Sequence, residues 1–175
     1  MTLAARAARI RVLLLDVDGV LTDGSIIYAE NGVELKRFHV RDGSGLKLWQ
    51  LAGNRAAIIS GRTSVAVEVR AAELGVSPVL QGRTDKVPAF AEMLGMLDVG
   101  AAEVCAVGDD LPDWPLLRAA GLGVAVADAC PELRAAADYV TAAPGGRGAV
   151  RDCIEWLLKL QGRWEPLLAR YRVGG

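Results

Sequence analysis

Short runs of apolar residues recur along the chain, and each has the length of a β-strand. They are too continuous for strands with one face in water, so they are typical of strands buried on both faces of a sheet. We predict strands at residues 11–15, 55–59, 78–80, 103–107 and 122–126, with a weaker sixth at 138–141.

Helical patterns separate these strands. A helix is predicted from a cap at Asp42 to about residue 51, and the last helix from about Gly148 through Leu160. Further helix starts are predicted at Thr63 or Ser64, Thr84 or Asp85, Pro112 and Pro131. This alternation predicts an α/β fold with a Rossmann-like, three-layer architecture, in which a parallel sheet lies between helices. Ligands of such folds bind at the carboxyl ends of the strands.

One segment departs from the alternation. Residues 25–29 and 33–40 flank Glu30-Asn31-Gly32, and an Asn-Gly pair between such runs predicts a β-hairpin at about 25–40. The hairpin follows the first strand, where a helix would be expected. The last segment, about 161–175, is predicted to be a tail with one apolar helical face that Pro166 interrupts early.

Composition narrows the class of protein. The chain has 175 residues, 52% of them hydrophobic and 23% charged, with a net charge of −1. This predicts one globular domain over residues 1–175, with no basic excess for nucleic acid. No stretch lacks charged residues and histidine for more than nine positions, whereas a membrane span needs about 20 apolar residues. Three scattered cysteines fit reduced thiols, so a cytoplasmic protein is expected.

Polar residues follow the predicted strands. Asp16 and Asp18 come after the first strand, Ser60 after the second and Lys86 near the third, and three acids, Asp109, Asp110 and Asp113, follow the fourth. The topology brings them to one edge of the sheet, where they fit phosphoryl transfer to a carboxylate. Oxygen ligands such as Asp16 and Asp109 suit Mg²⁺, which lets a carboxylate and a phosphate approach each other.

The same edge supplies the other groups that this chemistry needs. Ser60, Lys86 and the backbone N–H groups of the Asp18–Gly19 turn can stabilise the phosphoryl oxygens. Asp18, two residues after Asp16, can protonate the leaving oxygen and later activate water. Gly19 then permits a tight turn.

Four motifs resemble those of the haloacid dehalogenase phosphatase superfamily. They are DVDGVLTD at 16–23, a serine after the second strand, a lysine at a helix start and GDDLPD at 108–113. The resemblance implies the haloacid dehalogenase fold, with Asp16 as nucleophile, Asp18 as general acid and base, and Ser60 and Lys86 as phosphate ligands. It also implies that Asp109 binds Mg²⁺ with Asp16 and the backbone carbonyl of Val17 or Asp18, of which Asp18 is favoured. Asp110 and Asp113 are candidates to support the metal site, with an N-cap of the helix that contains Trp114 as the alternative.

The gaps between the motifs are too short for a cap domain, because none exceeds 42 residues and domains rarely have fewer than about 50. With its hairpin, IISGR, GDDLPDWP and GGRGAVRD, the chain is similar to the capless family of 3-deoxy-D-manno-octulosonate 8-phosphate (KDO 8-phosphate) phosphatases of lipopolysaccharide precursor synthesis. That family implies a homotetramer with hairpins packed at its centre, in which a neighbouring chain, including its C-terminal segment, closes each site.

Arg62 bears on the choice of sugar-phosphate substrate. Relatives that act on nine-carbon ulosonate 9-phosphates tend to carry Glu at this position, whereas a guanidinium suits the carboxylate of KDO 8-phosphate. Gly19 and Gly61, beside the phosphate, and Arg41 and Arg147, near the site, are further predicted substrate-binding residues. The glycine-rich loop before the last helix, which contains Arg147, resembles an anion-binding loop, although a flexible link is the alternative. His39 is expected to serve packing or an interface.

Three other functions stay open at this point. The first is a phosphatase for nine-carbon ulosonate 9-phosphates, such as those of KDN or sialic acid. The second is a phosphoacceptor domain of the receiver type, although a receiver carries its phosphoacceptor Asp after a middle strand. The third is a catalytically silent assembly module, which the complete set of acids, Ser60 and Lys86 disfavours.

Overall fold

A computed structural model describes residues 1–172 of the chain. Its strands are β1 Val12–Leu15, β2 Ile27–Tyr28, β3 Glu34–Leu35, β4 Arg55–Ile59, β5 Val79–Leu80, β6 Val104–Gly108, β7 Leu122–Ala125 and β8 Tyr139–Val140. Its helices are α1 Leu3–Ala7, α2 Val40–Leu51, α3 Val65–Leu74, α4 Lys86–Leu97, α5 Trp114–Ala119, α6 Pro131–Ala136, α7 Ala149–Leu160 and α8 Trp164–Ala169.

Six strands form a parallel sheet in the order β5-β4-β1-β6-β7-β8. Strand β1 lies at its centre, where Leu14 pairs with Ala57 of β4 and Ala106 of β6. All four residues of β1 are buried, which explains its continuous apolar sequence. The connections run to one side of β1 through β4 and β5, and to the other side through β6 to β8. The carboxyl end of β1 is therefore the switch point of the sheet, where such folds bind ligands.

The predicted fold class is confirmed, since all six predicted strands form this parallel sheet and helices flank it. Helix α2 packs against α7 and α3, and α5 packs against α4 and α6. Asp85 caps α4 by accepting a hydrogen bond from the backbone of Val87. Gly75 ends α3 in the left-handed region, with φ of +68°. The single-domain interpretation of residues 1–175 stays a prediction.

Strands β2 and β3 form an antiparallel hairpin between β1 and α2, with Ile27 opposite Leu35. The hairpin is shorter than the segments 25–29 and 33–40 that the sequence predicts, and Val40 belongs to helix α2. Pairing ends at Leu35, after which Lys36 reaches back to the end of the parallel sheet and contacts Asp18.

The sequence predicted that Asp42 caps its own helix, but the N-cap of α2 is His39. Asp42 is the third residue of α2, which begins after His39, and its side chain is only 2% exposed. Its carboxylate accepts hydrogen bonds from the backbone N–H groups of Gly148, at 3.2 Å, and Arg151, at 2.8 Å. Asp42 therefore caps helix α7, which packs against α2.

The C-terminal segment forms helix α8, which packs against α7 through the buried side chains of Trp164 and Leu167. The sequence predicted that Pro166 interrupts this helix, but it does not. Pro166 lies in the first turn of α8, where a backbone N–H has no partner within the helix. Residues 173–175 of the predicted tail lie outside the described residues. Within 1–172, no helix combines the length and the apolar character needed to cross a membrane.

We expect Asp42→Ala to lower the free energy of unfolding by about 1–3 kcal/mol, because two N–H groups at the start of α7 lose a buried acceptor. Denaturant unfolding of the two proteins measures the difference. The matched control is Glu165→Gln, which removes an exposed carboxylate from α8 and should change stability by less than about 0.5 kcal/mol. Equal stability of Asp42→Ala and the unmodified chain would contradict the capping role.

Candidate active site

The carboxyl ends of β1, β4 and β6 open onto one cavity of about 500 Å³. Its lining comes from the turns after these strands and from the start of α4. It contains most of the site residues predicted from the sequence: Asp16, Asp18, Ser60, Gly61, Arg62, Lys86, Asp109, Asp110 and Asp113, together with Thr84 and Pro112.

Lys86 joins two carboxylates at the floor of this cavity. It is the first residue of α4, and its Nζ donates to Oδ1 of Asp16 at 2.7 Å and to Oδ1 of Asp113 at 2.6 Å. All three side chains are at most 10% exposed. A buried ammonium is tolerated only with such partners, so the three residues form one charged unit.

Asp109 joins this unit as a third carboxylate. Carboxylate oxygens of Asp16, Asp109 and Asp113 lie within 4.8 Å of one another, an arrangement that fits a divalent cation with oxygen ligands. The sequence had placed Asp113 farther from the metal than Asp16 and Asp109. The structure brings its carboxylate into the cluster, where it also accepts a hydrogen bond from the backbone N–H of Asp109 at 3.1 Å.

The crowding of like charges changes the protonation of the cluster. Burial, and then the charge of Asp113, raises the pKa of Asp16 to about 6, although Lys86 acts in the opposite direction. Burial and the charges of Asp16, Asp113 and Asp110 raise the pKa of Asp109 to about 8. Burial acts to lower the pKa of Lys86, but the two carboxylates outweigh it and raise that pKa.

Two glycine-containing loops pack together beside the cluster. Gly19 has φ of +93°, and a Cβ there would lie 2.1 Å from Oδ2 of Asp109, so only glycine permits this approach. A Cβ at Gly145 would lie 1.7 Å from the carbonyl oxygen of Gly19. The backbone N–H of Gly146 donates to the carbonyl of Val20 at 2.9 Å. The glycines before α7 therefore support the turn after β1.

Three predicted substrate-binding residues, Gly19, Arg41 and Arg147, do not line the cavity of the single chain. Gly19 lies in the turn after β1, against Asp109. Arg41 is exposed at the start of α2, and Arg147 is exposed with its Nη2 3.9 Å from Asp23. Their role in substrate binding stays a prediction. Ser60 is 3% exposed in the cavity wall, and its Oγ accepts a hydrogen bond from the backbone of Arg62 at 3.4 Å.

Sequence reasoning missed two residues that the hairpin brings to the site. Lys36 lies 2.5 Å from Asp18, and Glu34 accepts a hydrogen bond from Nη2 of Arg62 at 2.9 Å. Hydrogen bonds to Tyr28 and Glu34 raise the pKa of Arg62. A signal was present, because Lys36 is one of only four lysines and, in the strand predicted over 33–40, it falls on the same face as Glu34, two positions earlier.

The switch point brings together a carboxylate that can act as a nucleophile, a buried lysine, an acidic cluster that can hold a divalent cation and a second acid. These groups are suited to phosphoryl transfer. A family model described as haloacid dehalogenase-like hydrolase matches residues 58–151. The chain is 50% identical over 159 residues to the 3-deoxy-D-manno-octulosonate 8-phosphate phosphatase KdsC of Escherichia coli K12, which covers 91% of this chain and 85% of that protein.

Solved structures agree with this similarity. The 3-deoxy-D-manno-octulosonate 8-phosphate phosphatase of Moraxella catarrhalis, in complex with magnesium, phosphate and KDO, superimposes with a TM-score of 0.93 at 41% identity, covering 97% of each chain. The cobalt-bound deoxy-D-mannose-octulosonate 8-phosphate phosphatase of Haemophilus influenzae gives a TM-score of 0.88 at 38% identity, covering 91% of this chain and 93% of that one. The chain therefore belongs to the haloacid dehalogenase-like hydrolase family, among its 3-deoxy-D-manno-octulosonate 8-phosphate phosphatases. It is accordingly a phosphoric monoester hydrolase.

We expect a divalent cation to stabilise the chain more at pH 8 than at pH 5. The raised pKa values of Asp16 and Asp109 mean that the folded chain binds protons more tightly than the unfolded chain. Without metal, their contribution to stability therefore falls as the pH rises from about 4 to 8. A cation that replaces these protons relieves the repulsion, and at low pH it must compete with them.

Thermal unfolding with Mg²⁺ and with EDTA measures this effect. At about 100 times the dissociation constant, Mg²⁺ should raise the melting temperature by about 5–10 °C at pH 8 and by clearly less at pH 5. Asp109→Asn should lose most of the increase, whereas Asp98→Asn, which changes an exposed acid at the end of α4, should keep it. An increase that is equal at both pH values would contradict the assignment.

Proposed function

We propose that this chain is a Mg²⁺-dependent phosphatase that hydrolyses KDO 8-phosphate to KDO and inorganic phosphate through an aspartyl-phosphate intermediate on Asp16. The observation that carries the proposal is the position of Asp16. Its carboxylate is held by the buried ammonium of Lys86 at the switch point, two residues before Asp18. The relatives named for this substrate, at 41–50% identity, support the choice of ester.

In the first half of the reaction, a carboxylate oxygen of Asp16 attacks phosphorus while the bond from phosphorus to the sugar oxygen breaks. The carboxylic acid of Asp18 gives its proton to the leaving oxygen, which becomes the hydroxyl of KDO. Lys86, Ser60 and the backbone N–H groups at Gly19 and Gly61 would donate to the phosphoryl oxygens, whose charge must be stabilised.

In the second half, a water molecule attacks phosphorus and the bond between phosphorus and Asp16 breaks. The carboxylate of Asp18 takes a proton from that water, so phosphate leaves and both acids return to their starting states. Asp18 lines the cavity, as this double role requires.

Asp16, Asp109 and the backbone carbonyl of Asp18 would hold the Mg²⁺, with Asp110 and Asp113 in support. When bound, Mg²⁺ neutralises the acids and lets the phosphate approach Asp16. Asp113 is assigned mainly to orientation, because it accepts hydrogen bonds from Lys86 and from the backbone of Asp109.

Arg62 is the basis for choosing an eight-carbon over a nine-carbon ester. Its side chain is 41% exposed at the wall of the cavity, where a guanidinium can pair with a substrate carboxylate. The alternative function is hydrolysis of a nine-carbon ulosonate 9-phosphate. We further propose that the reaction serves lipopolysaccharide precursor synthesis and takes place in the cytoplasm.

We also propose a homotetramer in which hairpins pack together and a neighbouring chain, including its C-terminal segment, closes each site. The hairpin supports this proposal with an exposed apolar surface: Ile26, Ile27, Tyr28, Val33 and Leu35 are 41–62% exposed. Contiguous apolar surface of this kind marks interaction sites.

The test of the function is phosphate release from KDO 8-phosphate and from a nine-carbon ulosonate 9-phosphate, each with Mg²⁺ and with EDTA. We expect Mg²⁺-dependent turnover with preference for the eight-carbon ester. Preference for the nine-carbon ester would favour the alternative and overturn the role of Arg62. Absence of turnover on both esters would favour a receiver, if Asp16 stays phosphorylated for hours, or a silent assembly module.

Asp16→Asn should reduce turnover of KDO 8-phosphate by about 10³-fold or more, because an amide is not a nucleophile for phosphorus. Circular dichroism should show the fold intact, since Asn fills the same volume. Asp98→Asn, remote from the cavity, should keep full turnover. Substantial activity of Asp16→Asn would exclude an aspartyl-phosphate on this residue.

Sedimentation velocity tests the assembly. We expect about four times the 18.5 kDa mass of the chain. Leu35→Lys, in the apolar surface of the hairpin, should shift the distribution to smaller species, because it buries a charge in the proposed interface. A monomer in the unmodified protein would contradict the tetramer.

A further inference from the structure

Four charged side chains of alternating sign form a closed ring at the wall of the cavity. Nζ of Lys36 lies 2.5 Å from Oδ1 of Asp18 and 3.2 Å from Oε1 of Glu34. The same oxygen of Glu34 accepts a hydrogen bond from Nη2 of Arg62 at 2.9 Å, and Nε of Arg62 lies 3.6 Å from Oδ2 of Asp18. Each acid thus contacts both bases.

Lys36 is the most deeply buried member of the ring. Its side chain is 1% exposed, against 13% for Glu34 and 19% for Asp18. An ammonium is strongly hydrated, and its removal from water costs several kcal/mol unless partners replace the water. A lysine on a hairpin would ordinarily extend into solvent. Here its ammonium instead contacts the carboxylate of Asp18.

We propose that Lys36 is a positioning residue that fixes the carboxyl group of Asp18 for its work as general acid and base. This inference rests on the proposed function of Asp18. The Asp18 side chain stands on a turn, and rotation about its χ1 would move its oxygens by several ångströms. Contact of Oδ1 with Lys36, and the approach of Arg62 to Oδ2, hold the carboxyl group in one orientation at the cavity wall.

Orientation matters because a general acid must come within about 2.6–3.2 Å of the oxygen that it protonates. Displacement by about 1 Å can cost about 10²-fold in rate. Lys36 does not line the cavity, so it acts through Asp18 and not on the substrate.

Glu34 is the second acid of the ring. It lies two positions before Lys36 and contacts both bases of the ring. The hydrogen bond from Arg62 lowers the pKa of Glu34 from its usual value, in keeping with a carboxylate that stays ionised. The hairpin therefore reaches the turn after β1 through Lys36 and the turn after β4 through Glu34.

The test is a double-mutant cycle between Lys36→Met and Asp18→Asn, with phosphate release from KDO 8-phosphate as the assay. Met keeps the length of the side chain and removes the charge. Lys36→Met alone should lower kcat about 10–100-fold and leave KM little changed. In the Asp18→Asn background it should cause no further loss, because Lys36 acts only through the missing carboxyl group.

Two variants serve as controls for charge. Lys36→Arg keeps the positive charge and should recover most of kcat. Lys159→Met removes an exposed lysine of α7 that pairs with Glu155 and does not line the cavity, and it should match the unmodified protein. If Lys36→Met fails to fold, Glu34→Gln takes its place in the cycle. It should lower kcat less, and again without further loss beside Asp18→Asn.

The outcomes separate this inference from the function on which it rests. Unchanged kcat in Lys36→Met, or a loss that multiplies with that of Asp18→Asn, would overturn the positioning role. Full activity of Asp18→Asn would instead overturn the acid and base assignment itself. Sedimentation of each variant shows whether assembly is unchanged, and a loss of kcat that follows only a loss of assembly would also overturn the inference.

Discussion

The site depends on one electrostatic constraint, the burial of the Lys86 ammonium between Asp16 and Asp113. With Asp109, the cluster has three carboxylates and one ammonium, so its net charge is −2 when all four groups are ionised. Burial of that charge is unfavourable, and the raised pKa values of Asp16 and Asp109 express the cost. A divalent cation would balance this charge. The crowding of carboxylates that destabilises the metal-free chain therefore favours metal binding.

This constraint explains the form of the surrounding backbone. Asp109 approaches the turn after β1 so closely that no side chain fits at Gly19, and Gly145 approaches the carbonyl of Gly19 from the loop before α7. Asp42 then fixes the start of α7 from the side of α2. The turn that carries the acids is thus packed against several other elements, and such packing favours a preorganised charged site.

Local pattern was enough to predict the sheet and most of the residues that line the cavity. Asp16, Ser60 and Asp109 each follow a strand that is a continuous apolar run in the sequence. The carboxyl ends of parallel strands meet at one edge of a sheet, so this edge could be predicted without knowledge of the side-chain packing. Contacts between distant segments were beyond this reasoning. Asp42 looks like a cap for its own helix, yet its partners lie 106 and 109 positions away. The approach of Lys36 to Asp18 likewise depends on how the hairpin folds back, which strand alternation alone does not specify.

The hairpin reverses the usual arrangement of a strand at a protein surface. Glu34 and Lys36 face the site, and their side chains are at most 13% exposed. Val33, before them, is 52% exposed, and Leu35, between them, is 50% exposed. Ordinarily the apolar face of a strand turns inward and the polar face meets water. The inward charges have a use, since they pair with Asp18 and Arg62. The outward apolar side chains have none within the single chain. Exposed apolar surface of this kind is typical of interaction sites. The proposed packing of hairpins from neighbouring chains would cover this face and would leave the contacts of Glu34 and Lys36 with the site unchanged.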